Sequence, residues 1–183
     1  MTSFNKLQQL KRRFFALRNG AVADSMRKSG ANYRIIFGLN LPQLAEVASE
    51  FGPDAQLALQ LRDNLTTRES LLIAPMLYPT DSLTPEVALE WIRLSPTPEV
   101  IDILCLKLLR HLSDPAPVIT ELAASDSPLD RYAALRLSAN ILPREMDIVE
   151  SVARSEAERR DPLTILAATM IIDDIEFRRE PMG

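Results

Sequence analysis

The stretch Leu83–Leu109, LTPEVALEWIRLSPTPEVIDILCLKLL, decides the fold. It holds one phrase twice. Thr84-Pro85-Glu86-Val87 and Thr97-Pro98-Glu99-Val100 each place a hydroxyl residue before a proline, then an acid, then an apolar run. A threonine at the N-cap accepts an orphan backbone N–H, proline at N1 arrives with helical φ, and a first-turn glutamate faces the positive end of the helix dipole. The apolar residues behind each start recur at helical spacing, so two amphipathic helices are predicted over about 85–94 and 98–110.

The same reading extends outward. Helices are predicted over about 4–17, 21–28, 42–51, 54–63, 67–77, 116–124, 128–142, 145–154 and 162–173, with the tail EFRREPMG frayed. Thr66 is the expected cap of the 67–77 helix, with Glu69 answering at N3, and Pro75 is expected to kink that helix or end it early. NYRIIFGLNLP between Asn32 and Pro42 reads as a connector in which Gly38 turns and Pro42 opens the next helix. No sustained period-2 run interrupts this series. Helices 54–63 with 67–77, and 85–94 with 98–110, form pairs, and a solenoid of such pairs is favoured over a globular bundle.

Composition narrows the function classes. The 183 residues include only 5 glycines against 13 prolines, which disfavours phosphate loops and tight hairpins. Cys105 is the only cysteine, so neither an intrachain disulfide nor a cysteine metal cluster is available, and His111 alone does not make a metal site. No metal or other cofactor is expected. No long apolar run or signal-peptide core is present, so a soluble cytoplasmic protein without a membrane partner is expected. Trp91 and Cys105 fall on apolar stripes and read as core; Asp173, Asp174 and Glu176 read as a solvated helix end.

Charge is distributed unevenly. Residues 1 to 34 carry eight Lys or Arg against Asp24 alone, a net charge of +7, whereas the remainder is −11. A polyanion contact therefore falls on the N-terminal group, Arg12 and Arg13 included, and the alternative is an ordinary solvated basic face.

Four segments in order carry a family resemblance: NYRIIFGLNLPQLAEVASEF, TTRESLLIAPMLYP, the central twin helices, and SPLDRYAALRLSANIL. Together they resemble the bacterial DNA alkylation repair glycosylases built from HEAT-like repeats, over about residues 20 to 142. The resemblance implies an all-α, armadillo-type fold, a right-handed superhelix of HEAT-like antiparallel helix pairs in a single domain over 1–183. It implies duplex DNA as partner, held on a concave face.

In that family the central pair ends in Trp-Asp-x-x-Asp, whose second acid stabilises positive charge on the departing base and sugar. PEVID aligns Pro98 with the tryptophan, Glu99 with the first acid and Asp102 with the second. Asp102 is thus the catalytic candidate; its other reading is an early-turn acid favoured by the helix dipole. Arg131 aligns with one of two family arginines, and Tyr132 stands at the other. Arg131 is expected to meet a phosphate, or a carboxylate such as Asp102; Tyr132, to stack on a base or lie half-buried. Pro98 offers no aromatic wall, and DPLTILAATMIIDDI lacks the family's Lys, Trp and Arg. The expectation is a divergent, non-catalytic relative that binds duplex DNA weakly. The alternatives are a protein-interaction scaffold and an active glycosylase using Asp102. The apolar 162–173 helix adds the expectation of a homodimer through the C-terminal end.

Overall fold

The computed structural model describes residues 3–142 and 144–179, and in these the chain is all-α, with no strand. It forms two compact units, Met1–Ser82 and Leu83–Gly183.

The first unit contains α1 (Ser3–Leu17), α2 (Gly20–Lys28), α3 (Leu41–Phe51), α4 (Ala55–Arg62) and α5 (Arg68–Leu77), followed by a 3-10 turn at Thr80–Ser82. The starts follow local chemistry. Asn19 caps α2 through Val22 N–H; Asn40 and Gln43 form a reciprocal capping box on α3; Asp54 caps α4 through Leu57 N–H. Helix α1 packs on α3 and α4, and α5 packs on α3 and α4. Lys6 Nζ reaches Asp54 Oδ2 at 2.6 Å, pinning α1 to the start of α4 and, with the Leu57 N–H, holding that carboxyl below its ordinary range.

At α5 the expected capping box is absent. Thr67, not Thr66, is the N-cap, and its side chain makes no capping bond. Glu69, fully buried, turns instead to the connector and accepts the N–H groups of Phe37 (3.0 Å), Gly38 (2.9 Å) and Leu39 (3.4 Å). Arg68 Nη1 donates both to Glu69 and to Leu39 C=O, each at 3.1 Å. The connector therefore gets from one carboxylate the partners that a strand would have got from a neighbour. Gly38 has φ 79°, and a Cβ there would lie 2.4 Å from Asn19 O, so only glycine fits where the connector crosses the start of α2. Pro75 lies within the last turn of α5, which runs on to Leu77.

The second unit contains α6 (Pro85–Leu94), α7 (Pro98–Lys107), a 3-10 turn (Leu109–His111), α8 (Ala116–Ala123), α9 (Pro128–Ile141), α10 (Met146–Arg159) and α11 (Ile165–Arg179). The twin starts behave as their sequence dictates: Thr84 and Thr97 accept from Val87 N–H and Val100 N–H, and each helix has its proline in the first turn. Helix α7 ends earlier than its apolar run, because Leu108, at φ −120° and ψ −59°, leaves the helical region while staying buried. Helices α6, α8 and α10 pack as one row and α7, α9 and α11 as another, with α8 against α9 and α10 against α11.

Two elements depart from expectation at the C-terminal end. Helix α10 continues to Arg159 and stops where Arg160 takes φ 54°. Helix α11 starts at Ile165, after a turn held by Asp161, and includes Glu176–Arg179, the first part of the expected frayed tail; the rest of that tail, 180–183, lies outside the described residues. No helix among the described residues is long and apolar enough to cross a membrane.

Removing Glu69 takes the buried acceptor from three connector N–H groups and one of several partners from Arg68. Glu69→Ala is expected to cost about 3–5 kcal/mol in urea unfolding, the range for breaking a buried ion pair. A loss under about 1 kcal/mol would show that the connector does not depend on it.

Candidate functional site

Asp102 lies in the second turn of α7, half-exposed, with the buried Ile101, Leu104 and Cys105 beneath it. Its Oδ1 accepts the Tyr132 hydroxyl at 2.9 Å. The same oxygen lies 2.6 Å from Arg136 Nε, off the N–H axis, so this contact is an ion pair and not an aligned hydrogen bond. Among the described residues no hydrogen bond reaches Oδ2. Tyr132 and Arg136 stand one turn apart on α9, which sets both on the face toward α7.

Burial first, and then the hydrogen bond and charge of Asp102, push the Tyr132 phenol up to about 12. Cys105 is fully buried, its Sγ 4.0 Å from Ala133 C=O, and burial together with the Asp102 charge pushes its thiol up. It is a core thiol, as its place on the apolar stripe predicts, and Trp91 is likewise core at 3% exposure.

Arg131 faces elsewhere. Only 6% exposed, its guanidinium donates from Nε to Glu156 Oε1 (3.0 Å), from Nη1 to Ser125 C=O (3.0 Å) and Asp126 C=O (2.8 Å), and from Nη2 to Asp161 Oδ2 (2.8 Å). Thr164 adds a hydroxyl to Glu156 Oε1 at 2.7 Å. The structure pairs Arg131 with carboxylates, but with Glu156 and Asp161 and not with Asp102. These bonds use most of its five N–H groups and tie α9 to α10 and to the turn before α11.

The N-terminal arginines belong to the first unit. Arg13 grips Glu50 with Nε at 2.8 Å and Nη2 at 2.5 Å. Arg12 is exposed and without a partner among the described residues. Among those residues no three His, Cys, Asp or Glu side chains gather as a metal site.

The residue that the sequence reading passed over is Arg136. Its signal was the i, i+4 spacing from Tyr132 in YAALR, and the alignment with Arg131 drew attention one face away. The model of the DNA alkylation repair enzyme family matches residues 10–179, and the chain belongs to that family. No curated protein and no solved structure matches it.

The raised phenol pKa favours neutral Tyr132 in the folded state, so its contribution to stability holds below pH 10 and is lost as pH rises toward about 12. In an ultraviolet titration one of the three tyrosines should ionise near pH 12. Tyr132→Phe should remove that component. Asp102→Asn should bring it down without reaching 10, because burial is the larger cause. A late component that survives Tyr132→Phe contradicts the assignment.

Proposed function

We propose that this family member holds duplex DNA weakly and does not excise alkylated bases. The observation that carries the reading is the double engagement of Asp102 Oδ1 by Tyr132 and Arg136. Excision through an oxocarbenium-like state asks a preorganised carboxylate to offset charge as it develops. A carboxylate already facing a guanidinium 2.6 Å away has much of that field cancelled before substrate arrives. The aromatic ring beside the acid is Tyr132, whose hydroxyl is already committed to the carboxylate. Pro98 occupies the position where the resemblance implies a tryptophan, and the Trp91 indole is in the core. Arg131, by its inward bonds, serves in this proposal to fix α9, and phosphate contacts fall to exposed cations.

The finer architecture, a right-handed superhelix of HEAT-like pairs, is part of the proposal. Its support is the alternation of rows in the second unit, where every second helix packs on the next.

Methylated duplex DNA tests the reading. Base release should stay at background and be unchanged by Asp102→Asn. Duplex binding should be measurable at about 50 mM salt and fall steeply by about 200 mM. Release well above background that Asp102→Asn abolishes would overturn the proposal, and so would no binding at low salt.

A second reading, a protein contact, is favoured by one observation. Leu166, Met170 and Phe177 on α11 are 70%, 59% and 74% exposed. With Leu163 in the preceding turn they follow the three-and-four spacing of a helix-packing seam, Asp173 filling the remaining place. The seam is self-complementary: an antiparallel copy with its two-fold axis at Met170 sets Leu163 opposite Phe177. The occupant proposed is a second copy of the chain. Sedimentation at micromolar concentration should give twice 20.5 kDa for the wild type and 20.5 kDa for Met170→Lys. A wild-type monomer contradicts the dimer.

A further inference from the structure

The first unit holds a cleft of about 370 Å³ lined by three arginines, Arg18, Arg27 and Arg34, together with Phe15, Phe37 and Gly20, the first residue of α2. Their surroundings supply little negative charge. Arg34 has no partner among the described residues. Arg27 meets only Asp24, at 3.3 Å, and that carboxylate is 72% exposed. Arg18 lies with Cζ 3.8 Å from the centroid of the Phe15 ring and donates Nη1 to Phe15 C=O, which orients the guanidinium and leaves further N–H groups for a ligand.

The contrast with the other cations of this unit is informative. Lys6 and Arg13 each face a carboxylate of their own, Asp54 and Glu50. Of the three at the cleft only Arg27 has one, the exposed Asp24. Like charges brought together repel unless an anion sits among them. The start of α2 adds to the positive potential. Asn19 takes the N–H groups of Val22 and Ala23, so those of Gly20 and Ala21 remain without acceptors among the described residues.

The walls are fixed before any ligand arrives. Phe37 C=O accepts Asn19 N–H at 2.7 Å, Phe37 N–H goes to Glu69, and Ile35 exchanges backbone bonds with Thr66 and Arg68. Arg34 therefore projects from a segment tied on both sides. A forked, stacked guanidinium suits the tetrahedral oxygens of a phosphate, and apolar rings beside it suit the sugar and base attached to one.

We propose that the cleft formed by Arg18, Arg27 and Arg34 binds a backbone phosphate of nucleic acid. This deepens the DNA-binding reading and rests on it. It also replaces Arg12 and Arg13 with a different set of N-terminal contacts.

The test compares the wild-type full chain with the Arg18→Gln/Arg34→Gln variant, using a short fluorescent duplex, its single strand, and inorganic phosphate as competitor. Both substituted side chains are at the surface, and circular dichroism should show the variant folded. The variant is expected to bind the duplex about tenfold more weakly, with the slope of log K against log salt reduced by about one, as for one lost phosphate contact. Preference for the single strand would assign the site to unpaired backbone, within the proposal. Equal duplex and single-strand affinities in wild type and variant would overturn the cleft and leave the DNA-binding reading standing. Binding of inorganic phosphate by a wild type that binds neither DNA would overturn both, because the anion would then not be a backbone phosphate.

Discussion

The buried guanidinium of Arg131 sets how the second unit presents its surface. Its bonds to Glu156, Asp161 and two turn carbonyls fix not only where α9 lies but how it is rotated. Successive helical residues are separated by about 100°. With Arg131 turned to α10 and the turn before α11, Tyr132 and Arg136 must come round to another side, where α7 offers Asp102. A single buried charge network thus decides which side chains meet the acid. Such a network tolerates little change. Loss of one partner strands the others in a low dielectric, at a cost of several kcal/mol.

The first unit shows the same principle with the opposite polarity. There the buried group is the Glu69 carboxylate, and its donors are the backbone of a connector that has neither helix nor sheet to satisfy it. Holding that connector in one shape has a structural consequence. It places Arg34 and Phe37 at the mouth of the arginine cleft, so the positive surface of this unit is built on a rigid segment and not on a loose loop.

What was legible in the sequence was what short range determines. Thr84-Pro85 and Thr97-Pro98 announce helix starts, as Pro42 does for α3, because cap and proline act within four residues. The connector turn at Gly38 was legible for the same reason. Long-range partners were not. Glu69 in TTRESLL has the spacing of a capping box, yet the N–H groups it accepts lie 30 to 32 residues upstream. Glu156 looks like one more charge in ARSEAERR, and the helix read as ending at Arg154 continues through it, with Glu156 buried at 3% exposure beside Arg131. The candidate acid, Asp102, was found by resemblance, whereas Arg136 had only its i, i+4 spacing from Tyr132 as a signal, and which face of α9 that pair occupies is set by the long-range bonds of Arg131.

The central claim is that Asp102 belongs to the chain's own electrostatics. A double-mutant cycle on Asp102→Asn and Arg136→Gln measures it most directly, with urea unfolding as the readout. Both side chains are about one-third exposed, so solvent screens the pair, and a coupling of about 0.5–1 kcal/mol is predicted. Strictly additive effects would contradict the account, since Asp102 and Arg136 would then act independently and the carboxylate would be free to serve a ligand.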